Sequence, residues 1–73
     1  MNFETIAKVG EARIMAKYKN NYYILSFSDH GEKVSKIESP ASIFRQGYWE
    51  PYEEKDEAVK DKYIKIIEKA GAL

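Results

Sequence analysis

Residues 3–28 read FETIAKVGEARIMAKYKNNYYILSFS, and the two points where this stretch can reverse direction decide the fold. Gly10-Glu11 lies between Val9 and Ala12, and glycine at the first central position is what a type II′ hairpin turn requires. Closing the chain there pairs Val9 with Ala12, Ala7 with Ile14, Thr5 with Ala16 and Phe3 with Tyr18 on one face. The other face receives Lys8–Arg13, Ile6–Met15 and the opposite-charge pair Glu4–Lys17. Asn20-Asn21 marks a second turn, because asparagine tolerates the left-handed backbone of a type I′ turn. That turn sets Tyr18 against Tyr23, Ala16 against Leu25 and Ile14 against Phe27. Both turns select the same inward residues of the middle strand, and a one-residue slip in either would turn the set outward. The expectation is a three-stranded antiparallel meander near 2–9, 12–19 and 22–28.

Downstream, Asp29-His30-Gly31-Glu32 carries turn chemistry and leads to a fourth strand near 33–37. Val34 and Ile37 fall on opposite faces of a regular strand, which predicts a bulge or a frayed edge. Lys33 and Lys36 suit an edge, where lysine discourages pairing with other chains. Ser39-Pro40 reads as an N-cap followed by proline at the first helical position, giving a short helix near 40–46 that Gly47 stops. Pro51 starts a long helix near 52–70 in the same way. Val59, Tyr63, Ile66 and Ala70 draw its apolar stripe, with Ile67 beside it. Glu53, Glu54, Asp56 and Glu57 crowd its first turns and Lys65 and Lys69 its last, an order that complements the helix dipole. The sheet face made by Phe3, Thr5, Ala7, Val9, Ile14, Ala16, Tyr18, Tyr23, Leu25 and Phe27 needs cover, and the helix stripe needs a sheet. The fold class that follows is α+β: a three- to four-stranded antiparallel meander packed on one face by a C-terminal helix.

The 73 residues make one small domain, with 12 basic and 12 acidic side chains in balance. No cysteine is present, which removes disulfides and thiolate chemistry and suits a reducing compartment. The longest apolar run, Tyr22 to Leu25, is four residues, far short of the roughly 20 of a membrane span. No basic start with an apolar stretch opens the chain, and a cytoplasmic location is expected. Net neutrality weighs against a dedicated nucleic-acid binder.

Signals for catalysis are sparse. His30 is the single histidine and falls in a turn, where a solvated side chain is the ordinary state. The four glycines are isolated, so no phosphate-cradling loop is present. Glu50, Glu53, Glu54, Asp56 and Glu57 do not follow the alternation of a calcium loop and read as an acidic helix start. No catalytic residue, metal or cofactor is implied.

Two surfaces carry more. Phe44, Arg45, Tyr48, Trp49 and Tyr52 crowd the connection before the long helix with the residue types of interface hot spots. The competing reading folds this connection back to plug a core too small to spare its aromatics, with Phe44 and Tyr52 inward and Arg45, Tyr48 and Trp49 partly out. The second surface is the outer sheet face, where the expected register gathers Lys8, Arg13, Lys17 and Lys19 with Tyr22, Ile6, Met15 and Ile24. It would serve nucleic acid through its basic residues, or a second copy of the chain through the Ile6–Met15–Ile24 group. The reading taken forward is a non-enzymatic protein that binds another protein through Phe44, Arg45, Tyr48 and Trp49. Its size places it with accessory, regulatory or inhibitor proteins of bacteria, phages or mobile elements. Nucleic-acid binding by the basic sheet face is the alternative, and no membrane partner is expected.

Overall fold

A computed structural model describes residues 3–41 and 48–71. Five strands run as β1 (Phe3–Val9), β2 (Arg13–Tyr18), β3 (Asn21–Ser28), β4 (Gly31–Ile37) and β5 (Glu50–Pro51), followed by helix α1 (Glu57–Lys69). They form one sheet of order β4-β3-β2-β1-β5, antiparallel at every pairing. The α+β class, the meander and the C-terminal helix are as expected, with one strand more. Among the described residues no helix is long and apolar enough to cross a membrane.

The β2–β3 turn sits one residue earlier than expected. Lys19 and Asn20, at φ 50° and 66°, take the two left-handed positions. Tyr18 therefore faces Asn21, and Ala16 faces Tyr23. The register moves by two residues, an even number, so every side chain keeps its expected face.

The β1–β2 hairpin differs more. The Ala12 amide donates to Val9 O at 3.3 Å, closing the expected turn around Gly10-Glu11 at φ +54° for the glycine. Ala12 O, however, accepts from Phe27 N at 2.8 Å, which draws it toward β3. Val9 consequently faces Arg13, Lys8 faces Ile14 and Ala7 faces Met15. The offset is cancelled where the register shifts between Thr5 and Ala7, and Thr5–Ala16, Glu4–Lys17 and Phe3–Tyr18 pair as expected. The extra residue at that bulge, Ile6, turns β1 over. Ala7 and Val9, expected under the helix, lie on the other face, and Lys8, expected there, is opposite Ile14 on the helix side.

β4 needs no bulge: its seven residues pair with β3 in continuous register. Val34 and Ile37 are both partly buried on opposite faces because both faces of the sheet are covered. On the helix side, Ala16, Tyr18, Tyr23, Leu25, Ile64 and Ile67 are buried together, with Phe3, Phe27, Val34, Tyr63 and Ile66 packed around them. On the far side, Ala7, Met15 and Trp49 form a second cluster bordered by Ile6, Val9, Ile24 and Ile37.

The long helix starts later than expected. Pro51 lies in β5 opposite Ala7, and Glu53 and Glu54 precede the helix. Its N-cap is Asp56, whose carboxylate accepts from Ala58 N at 2.9 Å. Lys60 Nζ lies 3.1 Å from Glu57 one turn on. Ile64, outside the expected stripe, is buried beside Ile67, while Ala70 is exposed. Gly71, at φ +69°, ends the helix as expected. Ser39 Oγ accepts from Ala41 N at 3.2 Å and Pro40 and Ala41 are helical, as an N-cap there requires. The remainder of the expected short helix lies outside the described residues.

Candidate functional site

The segment that follows residue 47 crosses the outer sheet edge and is fastened to β1. Tyr52 N donates to Ile6 O at 3.0 Å, next to the pairs Ala7–Pro51 and Lys8–Glu50. Buried Thr5 holds the next turn of chain: its hydroxyl donates to Tyr52 O at 3.2 Å and accepts from Glu54 N at 2.7 Å. The Tyr52 hydroxyl donates to the Glu54 carboxylate. That bond holds Glu54 below its usual range and, with burial, raises the Tyr52 phenol. The Lys8 ammonium lies 4.7 Å from the Tyr52 ring centre.

This fastening sets Trp49 on the outer face. Trp49 is 8% exposed and packs with Ala7 and Met15. The expectation that Trp49 is partly out is thereby corrected, and so is that of an exposed Met15, which is completely buried. The Ile6–Met15–Ile24 group has its cover within the chain, and that cover is Trp49. The Trp49 indole N–H is buried without a hydrogen-bond acceptor among the described residues.

Tyr48 lies on top. Among the described residues it is the large apolar side chain that remains exposed, at 47%, with its ring stacked on Trp49 at 6.4 Å and an interplanar angle of 22°. The Arg13 guanidinium is 5.8 Å from the Tyr48 ring centre. A tyrosine that already rests on an indole and neighbours a guanidinium has less rotamer freedom to lose on contact with a partner. Phe44 and Arg45 lie outside the described residues.

The basic set on the sheet is divided. Arg13 and Lys17 share the outer face, where Lys17 Nζ lies 5.6 Å from the Tyr22 ring centre and Glu4 stands opposite Lys17. Ile24 is half-buried between them. Lys8 is on the helix side, and Lys19, in the turn, lies 5.3 Å from the Tyr18 ring centre. Lys33, opposite Ser26, joins the outer face from β4. His30 is exposed in the β3–β4 turn, its amide donating to Ser28 Oγ at 3.2 Å. Arg13 beside Tyr48 was not foreseen as one site. The segment carrying Tyr48 pairs with the far end of β1, and nothing local to either residue signals the meeting. In comparisons with family models, curated proteins and solved structures, the chain matches none.

Proposed function

We propose that this chain is a non-enzymatic binding module that recognises another protein through the Tyr48–Arg13 pair. The observation that carries the reading is the exposed Tyr48 ring, stacked on buried Trp49 and flanked by Arg13. Tyrosine and arginine around a desolvated aromatic base are the residue types that dominate interface energetics. Trp49 supports this surface from beneath, and Tyr48 makes the contact. An accessory, regulatory or inhibitor role in the cytoplasm is the setting such a module fits.

The test is affinity capture of the tagged protein from a lysate of its own host, half of it treated with nuclease, alongside Tyr48→Ala. The expected result is one protein recovered near one-to-one from both halves and lost by the variant, at a cost of about 2 kcal/mol or more in affinity. Recovery that collapses after nuclease overturns the reading. It would move function to nucleic acid and to Arg13, Lys17 and Tyr22.

A further inference from the structure

β4 is the outermost strand on its side of the sheet, and the direction of its free hydrogen-bonding groups can be derived. Phe27 N donates to Ala12 O, so the odd-numbered residues of β3 aim their amides and carbonyls at β2 and the even-numbered ones at β4, because successive residues alternate. The even-numbered residues of β3 face Gly31, Lys33, Ser35 and Ile37. Glu32, Val34 and Lys36 are left with N–H and C=O directed away from the sheet, unpaired by any strand among the described residues.

The side chains of these same three residues lie on the helix side, opposite Phe27, Leu25 and Tyr23. There a groove of about 690 Å³ separates the β4 edge from α1, with Val34 and Ile66 in its lining. Lys62, Lys65 and Lys69 line it from the helix beside Asp61, and Glu32 lines it from the strand; Lys36 stands on the same face of β4, beyond the groove's lining. Three lysines against two carboxylates leave the groove a net positive charge, and Lys36 adds a further cation along the free edge. Lys62 is also fixed near the sheet, its ammonium 5.9 Å from the Phe27 ring centre.

We propose that this edge and groove bind an extended acidic peptide segment, which adds to β4 as an antiparallel strand. Strand addition supplies affinity through main-chain hydrogen bonds and specificity through alternate side chains. The peptide residue opposite Val34 would turn its side chain into the groove and is apolar, resting on Val34 and Ile66. The residue two positions away, opposite Lys36, is acidic, and further carboxylates meet Lys62, Lys65 and Lys69. Lysines along an edge repel a second copy of this strand and attract one of opposite charge, so the same residues exclude self-pairing and select the partner. The site is distinct from the Tyr48 surface and does not depend on it.

The probe is a fluorescein-labelled octapeptide alternating aspartate and threonine, with one central isoleucine, followed by polarisation against the full chain. Expected is saturable binding that weakens with salt. It falls by roughly tenfold or more in Lys62→Glu/Lys65→Glu, disappears when the isoleucine amide is N-methylated, and is unchanged in Tyr48→Ala. Equal binding of the peptide with lysines for aspartates overturns the proposal without reliance on any protein variant. So does undiminished binding of the N-methylated peptide, absence of binding at about 1 mM peptide, or sedimentation of the protein alone as a dimer blocked by the same edge.

Discussion

Two neighbouring aromatics have opposite duties, and their substitutions separate them. Trp49→Ala empties the centre of the outer cluster, where the ring covers Ala7 and Met15. A loss of about 3–5 kcal/mol is expected in urea denaturation, comparable to the whole stability of so small a domain. Tyr48→Ala, which gives up only the stacking on Trp49 and the neighbouring Arg13, should cost about 1 kcal/mol and leave the protein folded, so the larger part of any binding defect it shows belongs to the surface. A pH dependence follows from the Tyr52–Glu54 pair. Glu54 is held below its ordinary 4.5 chiefly by the Tyr52 hydroxyl. Its contribution to stability is therefore complete above that value and is lost as pH falls through the lowered one. Tyr52, raised above its ordinary 10.0 chiefly by the same bond, contributes below that value and loses its contribution as pH rises past it. Denaturation midpoints taken downward from about pH 6 should fall on the acid side, and Glu54→Gln should flatten that limb. An unchanged limb in the variant would show that the bond does not hold the 52–56 segment in solution.

Among the elements, the β2–β3 hairpin carries an avoidable cost. Lys19 and Asn20 both hold left-handed backbone, and lysine is a poor occupant of such a position where asparagine or glycine is favoured. Lys19→Asn combined with Asn20→Gly supplies the preferred pair without altering the register. A gain of about 1 kcal/mol is expected, read as a higher thermal midpoint. The turn also shows what the sequence could and could not carry at this scale. Asn20-Asn21 announces a reversal, and Tyr18, Tyr23 and Leu25 keep their face whether it falls at 19–20 or 20–21, because the two alternatives differ by an even step. The bulge at Ile6 was hidden by contrast, since Ile6, Ala7 and Val9 are apolar and satisfy either face. β5 was illegible for a different reason. Pro51 has the local chemistry of a helix start, while its actual role depends on Ile6 and Ala7 more than forty residues earlier. The candidate site inherited that gap: Tyr48 could be singled out by composition, whereas Arg13 beside it depends on the pairing of β5.

Across the molecule, one sheet has an apolar cluster on each side, and β2 contributes to both. Met15 belongs to the outer cluster, and its neighbours Ala16 and Tyr18 belong to the helix-side one. A strand shared in this way cannot lose its pairing on one face and keep it on the other. The two clusters should therefore melt together, despite having no common side chain. The chain offers a separate reporter for each. Trp49, the single tryptophan, senses the outer cluster through its fluorescence. Far-ultraviolet circular dichroism senses α1, which belongs to the helix side through Ile64 and Ile67. In urea the two signals are expected to trace coincident transitions with one midpoint and one slope, as an all-or-none domain requires. Fluorescence changing first would mean that the segment fastened by Thr5 and Ile6 detaches before the sheet opens. The outer cluster would then be a lid on a helix-side domain, and the Tyr48 surface would exist only while that lid is closed.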